Sequence, residues 1–120
     1  MLPQKFRLKN NSAFSATYRL KNTLGNKYFL LYLGSPITDK ETQNLKIGFV
    51  VSKKYHKRAV KRNRIKRLLR EVIRLKIKNN GLLDAKKLRS MIFIPKPPSL
   101  GLDYKSTEIA VTELLEKIKC

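Results

Sequence analysis

Cysteine, histidine and acidic side chains are scarce in this 120-residue chain, and each scarcity excludes a class of chemistry. The single cysteine, Cys120, stands at the last position and cannot form an internal disulfide, which points to a reducing, cytoplasmic setting. His56 is the only histidine, so no His/Cys metal cluster can be assembled. Acid–base catalysis by protein groups more typically uses paired histidines or a histidine–carboxylate pair. The eight acids (Asp39, Glu41, Glu71, Asp84, Asp103, Glu108, Glu113 and Glu116) are scattered and form no close carboxylate cluster of the two-metal kind. A glycine-rich phosphate loop is also missing. No catalytic residue and no protein metal site are therefore assigned.

Long apolar runs are absent as well. The best candidate, Tyr28 to Leu33, is strand-length, far short of the roughly 20 residues that span a bilayer. The opening residues Met1 to Arg7 lack the apolar core of a secretory signal. What the chain has in abundance is positive charge: 28 Lys+Arg against 8 Asp+Glu, a formal net charge of +20. Its hydrophobic share of 42% is that of a globular protein, not of a disordered basic tail. A chain of this length makes one domain, 1–120, burying roughly two-thirds of its unfolded surface without a disulfide or metal staple. Self-repulsion at this charge opposes compaction, so a polyanionic partner is expected. Nucleic acid comes first; an anionic membrane surface is the weaker reading, and no membrane partner is assigned.

Several elements can be read in order. Asn10-Asn11-Ser12 offers helix caps, and Ala13 to Lys21 follows without glycine or proline, with Phe14 and Tyr18 four apart on one face. Gly25-Asn26 marks a turn. Tyr28 to Leu33 reads as a strand whose alternation sets Tyr28, Leu30 and Tyr32 against Phe29, Leu31 and Leu33. A polar loop, Ser35 to Asn44, leads to a second strand over Lys46–Ser52, and Met91–Ile94 reads as a third, buried one. Asp103 caps a last helix whose Val111, Leu114, Leu115 and Ile118 follow helical spacing. The fold class is α+β, helices packed on one small sheet.

Residues 53–78 carry thirteen cations and one acid, Glu71, and so +12 of the total +20. From Ala59 the segment has no glycine or proline until Gly81, and Asn79-Asn80-Gly81 supplies a stop. Ile65, Leu68, Leu69, Val72 and Leu75 fall in one stripe at about 100° per residue. Asn63, Lys66, Arg67, Arg70 and Arg74 lie opposite, with Arg62 and Arg64 near the seams. An ordinary solvated helix would carry opposite-sign partners, which this one lacks. Its arginines instead suit phosphate oxygens, and Asn63 can bond a phosphate, a sugar hydroxyl or a base edge. The aromatics Phe14, Tyr18, Tyr28 and Tyr32 fit either a buried core or an open face that stacks unpaired bases. His56, among Lys54, Lys57 and Arg58, fits an imidazole lying beside RNA.

The string Ser52-Lys53-Lys54, then Arg58-Ala59-Val60-Lys61-Arg62-Asn63-Arg64-Ile65-Lys66-Arg67-Leu68-Leu69-Arg70-Glu71, closely resembles the signature of the bacterial ribonuclease P protein subunit. Phe6-Arg7-Leu8, the helix with Phe14 and Tyr18, Phe29-Leu30-Leu31-Tyr32, and Ile92-Phe93-Ile94-Pro95-Lys96-Pro97 extend the match over nearly the whole chain. The resemblance implies a two-layer α/β sandwich with a small mixed sheet and three helices, in the order α-β-β(-β)-α-β-α. It also implies a left-handed β-α-β crossover, against the usual right-handed preference. It implies a protein that binds ribonuclease P RNA, the catalyst, through Lys53, Lys54, Arg58, Lys61, Arg62, Asn63, Arg64, Lys66, Arg67 and Arg70. The second implied partner is precursor tRNA, whose single-stranded 5′ leader would lie in a cleft between the basic helix and the sheet, on Phe14, Tyr18 and Tyr32. Magnesium, held chiefly by the RNA, would serve the hydrolysis. The alternatives are a structural ribosomal protein and a DNA-binding module. The latter lacks the turn and second helix of a helix-turn-helix, and DNA is not assigned as a partner.

Overall fold

Two apolar runs, Phe29-Leu30-Leu31-Tyr32-Leu33 and Ser90-Met91-Ile92-Phe93-Ile94-Pro95, form the centre of a mixed sheet. In the computed structural model, which describes residues 6–8, 11–35, 45–79 and 88–118, the elements follow the expected order. They are α1 (Asn11–Arg19), β1 (Thr23–Gly25), β2 (Phe29–Leu33), β3 (Lys46–Phe49), α2 (Ala59–Lys78), β4 (Ser90–Pro95) and α3 (Tyr104–Glu116). The start of the chain through Lys5, Asn10, most of the Ser35–Asn44 loop, the Asn80-Gly81 stop and Cys120 lie outside the described residues.

The sheet order is β1-β2-β4-β3. β2 pairs antiparallel with β1 and β4, while β3 and β4 are parallel neighbours joined through α2. Register decides which side chains share a face. Leu31 sits opposite Phe93, and Phe93 opposite Phe49; Leu33 and Ile47 flank Met91 in the same way. These residues meet α2 and α3 in one core, with Ile65, Leu69, Val72, Ile73, Val111 and Leu114 buried against them. The Phe49 and Phe93 rings stack within it, centroids 5.9 Å apart. Tyr32, Ile92 and Gly48 form the adjacent row on the other face. There α1 lies across the sheet, so the central strand β4 is covered on both sides and reads as a continuous apolar run.

Local chemistry sets the ends of the elements. α1 stops at Arg19, two residues earlier than the sequence suggests, because Lys21 enters the left-handed region at φ 52° and donates its N–H to Tyr18 O. β1 was not distinguishable as a strand in Thr23-Leu24-Gly25, which is too short to show alternation; the Asn26 side chain makes it one. Its Oδ1 accepts from the N–H groups of Tyr28 and Phe29, both at 2.9 Å, and folds β1 back onto β2. Asn26 Nδ2 also donates to Ala110 O, tying the hairpin to α3. On α2 the buried stripe is Ile65, Leu69, Val72 and Ile73, with Leu68 and Leu75 on its flank.

Asp103 caps α3 as expected, its Oδ1 accepting from Ser106 N at 2.8 Å. Those hydrogen bonds hold its carboxyl below the ordinary carboxylate range. A depressed folded value means the cap stabilises the fold above the ordinary range and stops doing so as pH falls through the depressed value. Asp103→Ala is expected to lower the melting temperature at neutral pH, and the gap from the parent should close in acid. Leu69, fully buried between α2 and the sheet, is expected to cost about 2–5 kcal/mol as Leu69→Ala, read by urea denaturation.

Candidate nucleic-acid interface

Burial of one face of α2 fixes where the other must point. Lys53, Lys54 and Arg58 are exposed before the helix, and Lys61, Asn63 and Arg67 are exposed on it; Lys66 and Arg70 are half-buried. The two arginines at the seams do something more specific. Arg62 Nη1 donates to His56 O at 2.9 Å and Lys57 O at 2.8 Å, drawing the preceding loop onto the helix. Arg64 Nη2 donates to Leu102 O at 2.8 Å, bracing α2 against the segment that enters α3. Each guanidinium has five donors, so these bonds leave others for an anion.

The loop between β3 and α2 is built to present its cations. Tyr55 is buried in the core, and its hydroxyl accepts from Ser99 Oγ. His56 is half-buried, not a freely exposed imidazole; its Nδ1 accepts from Arg58 N at 3.0 Å, which places its proton on Nε2. The start of α2 has no side-chain cap and no acid in its first turn. A helix N-terminus surrounded by lysines and arginines runs against the helix dipole and gathers donors for an anion. Glu71 does not offset them, because both its oxygens are taken by Arg74, at 2.5 Å to Nη2 and 3.1 Å to Nε. That pairing lowers the Glu71 carboxyl and raises the Arg74 guanidinium.

The aromatics lie elsewhere than the resemblance implied. Phe14, Tyr18 and Tyr32 do come together, but on the face of the sheet opposite α2. The reason is the two-residue period of β2: Phe29, Leu31 and Leu33 take the α2 side, so Leu30 and Tyr32 take the other. Among the described residues no cleft opens between the basic helix and the sheet, since that space is filled core. The aromatic surface is walled by α1 instead. Tyr18 and Tyr32 meet edge to face, ring centroids 4.8 Å apart. Phe14 rests over Gly48, where a Cβ would come within 2.7 Å of its ring. All three rings are half-buried, and Leu30 and Ile94 continue the same half-buried face beyond them. Burial, and then the neighbouring Tyr32, hold the Tyr18 hydroxyl above its ordinary value, so it stays a hydrogen-bond donor. Tyr28 sits at the strand's end with Lys27 Nζ 5.7 Å from its ring centroid, apart from this cluster.

Gly48 is the member of this site that the sequence reading missed. A glycine inside an apolar strand signals close approach, and that signal was present in Lys46-Ile47-Gly48-Phe49. Among the described residues no group of three or more His, Cys, Asp or Glu side chains is arranged to hold a metal ion.

The family model described as Ribonuclease P matches residues 2–119 of the chain. A protein named Ribonuclease P protein component from Finegoldia magna is 34% identical over 116 residues, covering 97% of this chain and 93% of that one. Its counterpart from Rickettsia bellii is 39% identical over 114 residues, covering 92% and 89%. Among solved structures, the Staphylococcus aureus RNase P protein superposes with a TM-score of 0.73 at 26% identity, over 92% of this chain and 93% of that one.

Seating of Phe14 on the bare backbone of Gly48 gives a direct test. Gly48→Ala is expected to cost about 1–3 kcal/mol in urea denaturation, because the ring must lift. Gly25→Ala, whose Cβ would meet nothing closer than 3.5 Å, is expected to cost less.

Proposed function

The chain belongs to the Ribonuclease P family, and from that premise we propose that it anchors the catalytic RNA of this ribonucleoprotein and holds the 5′ leader of precursor tRNA. The observation that carries the reading is the convergence of Phe14, Tyr18 and Tyr32, from two elements, into one half-exposed aromatic surface. A buried core would have closed over these rings. Stacked unpaired bases would cover them, each adding about 1–3 kcal/mol.

The division of labour follows from the two faces of the sheet. Lys53, Lys54, Arg58, Lys61, Asn63, Lys66, Arg67 and Arg70 offer a positive edge to the phosphates of the catalytic RNA. Arg62 and Arg64 hold that edge in shape while their remaining donors face the same RNA. Phe14, Tyr18 and Tyr32 take the leader on the opposite face, so one protein grips two RNA segments without competition between them. Cleavage itself belongs to the RNA. Magnesium ions would serve the hydrolysis from sites on that RNA; of the protein's carboxylates, Glu71 is engaged with Arg74 and Asp103 caps α3. No helix among the described residues is long and apolar enough to cross a membrane. The ribosomal alternative shares the charge but would leave the aromatic surface without a role.

The deciding experiment adds the purified protein to a bacterial ribonuclease P RNA at low magnesium and follows cleavage of precursor tRNAs with long and short leaders. Rescue of cleavage and tighter binding of long leaders are expected; neither appearing would sink the proposal. Phe14→Ala and Tyr32→Ala are each expected to weaken long-leader binding about tenfold while sparing short leaders. If about six cations neutralise phosphates of the catalytic RNA, log affinity should fall against log salt with a slope of roughly −4 to −5. Protein without RNA is expected to cleave nothing.

A further inference from the structure

Among the described residues the most exposed large hydrophobic is Val60, 72% accessible in the first turn of α2. A solitary exposed valine needs no explanation. Val60, however, heads a row. Asn63, Arg64 and Arg67 stand three, four and seven positions on, so the four share one face of the helix. Lys57, Arg58 and Lys61 surround it in the chain, and all three are exposed. Leu100, 43% exposed, is the second apolar side chain at this end of the molecule. It takes the corner of the turn from Ser99 to Leu102, at φ −60° and ψ 126°, and Gly101 follows at φ 88°. Leu102 N closes the turn on Ser99 O at 3.1 Å, the shape of a type II turn. The turn is held firmly. Ser99 is fully buried, its Oγ donating to Lys96 O at 2.7 Å, and Arg64 Nη2 donates to Leu102 O. Arg64 thus joins the row headed by Val60 to the turn that carries Leu100.

We propose that Val60 and Leu100 form an apolar seat for one unpaired base of the catalytic RNA, with the remaining donors of Arg64 on the phosphate beside it. The inference rests on the RNA-anchoring reading above and adds to it a contact that carries no charge. Cations meet phosphates and fix position, whereas identity is read on the bases. An A-form duplex hides its base edges in a deep, narrow groove and would leave both apolar side chains in water. A base splayed out of a loop or bulge would cover them, and the exposed amide of Asn63 beside Val60 can bond its edge. Charge complementarity selects the occupant: the cations around the seat attract a polyanion and repel a second copy of the same net charge, +20. The leader, on the opposite face of the sheet, is already placed.

Affinity of the full chain for a bacterial ribonuclease P RNA, measured over a salt series, separates an apolar contact from a charged one. Val60→Ser and Leu100→Ser are each expected to weaken binding about fivefold at every salt concentration and to leave the slope unchanged. Lys61→Gln, by contrast, should make the slope shallower by about 0.9. Val60→Ile should bind like the parent, and both serine variants should keep the parent's urea midpoint, since both positions are exposed. In chemical probing of the RNA, an unpaired base protected by the parent should become reactive again with either serine variant. Parent-like affinity of both variants, or a loss that changes the slope as Lys61→Gln does, would overturn the proposal. Weakening seen only with long-leader precursor tRNA would assign the seat to the leader and overturn the catalytic RNA as occupant. Self-association of the free protein that both variants abolish would assign it to a second copy, with the same consequence. A parent chain that does not bind the RNA overturns the proposed function and this inference together; a parent that binds steeply with salt, and variants that bind equally well, overturn this inference alone.

Discussion

Everything in this protein that handles charge depends on one apolar contact, the seating of Ile65, Leu69, Val72 and Ile73 against Leu31, Ile47 and Phe93. A helix with thirteen cations in and around it has no intrinsic reason to lie against a sheet. The aliphatic stripe supplies one, at about 25 cal/mol for each Å² of apolar surface removed from water. Once that stripe is down, rotation of α2 about its axis is no longer free, and the cations can point only outward or along the seams. The seams are where Arg62 and Arg64 reach backbone carbonyls on either side. A guanidinium suits that place: its long stem packs, its planar head keeps its charge, and its several donors serve backbone and anion together.

The same contact explains why the two proposed RNA sites do not overlap. With α2 and α3 on one face of the sheet, only the other face is left for aromatics exposed enough to stack. Period-two alternation then assigns Tyr32 to that face, and register places Ile92 and Gly48 beside it. α1 is short and carries its aromatics on one flank, so it walls this surface without sealing it. A bulkier residue at position 48 would lift Phe14 and close the approach differently. Glycine there is a matter of clearance.

Much of this was legible in the chain. The apolar stripe of α2 was readable because helical spacing persists over its length, and the alternation of β2 because five residues suffice to show it. The cap at Asp103 followed from one side chain before an apolar-periodic run. What could not be read was which face of the sheet each helix would cover. Periodicity says that β2 has two faces and that α2 has one buried side; it does not say which meets which. That gap put the Phe14, Tyr18 and Tyr32 surface on the wrong side of the sheet. The three-residue strand β1 was lost for a different reason, since it is made by the Asn26 side chain and by pairing with β2, not by its own pattern. The bond of Arg64 to Leu102 O was not legible either, because nothing local marks a carbonyl 38 positions away as a partner.

The charge left over shapes the protein's energetics as well as its partners. Glu71 and Arg74 satisfy each other at a half-exposed position, and a pair of that kind contributes little to stability. Of the other cations of α2, Arg62 and Arg64 reach backbone carbonyls and Lys76 and Lys78 sit at the favourable end of the helix dipole, but those of the first turns crowd one another at its unfavourable end. Folding therefore brings like charges together on a rigid edge, and the apolar core must offset their repulsion. The proposed RNA, laid along that edge, would offset the repulsion, and by linkage it would stabilise the fold by as much as it prefers the folded arrangement to the unfolded chain. The cations that weaken the free protein would be those that give the proposed complex its strength, and exchanging them for neutral residues would trade binding for stability.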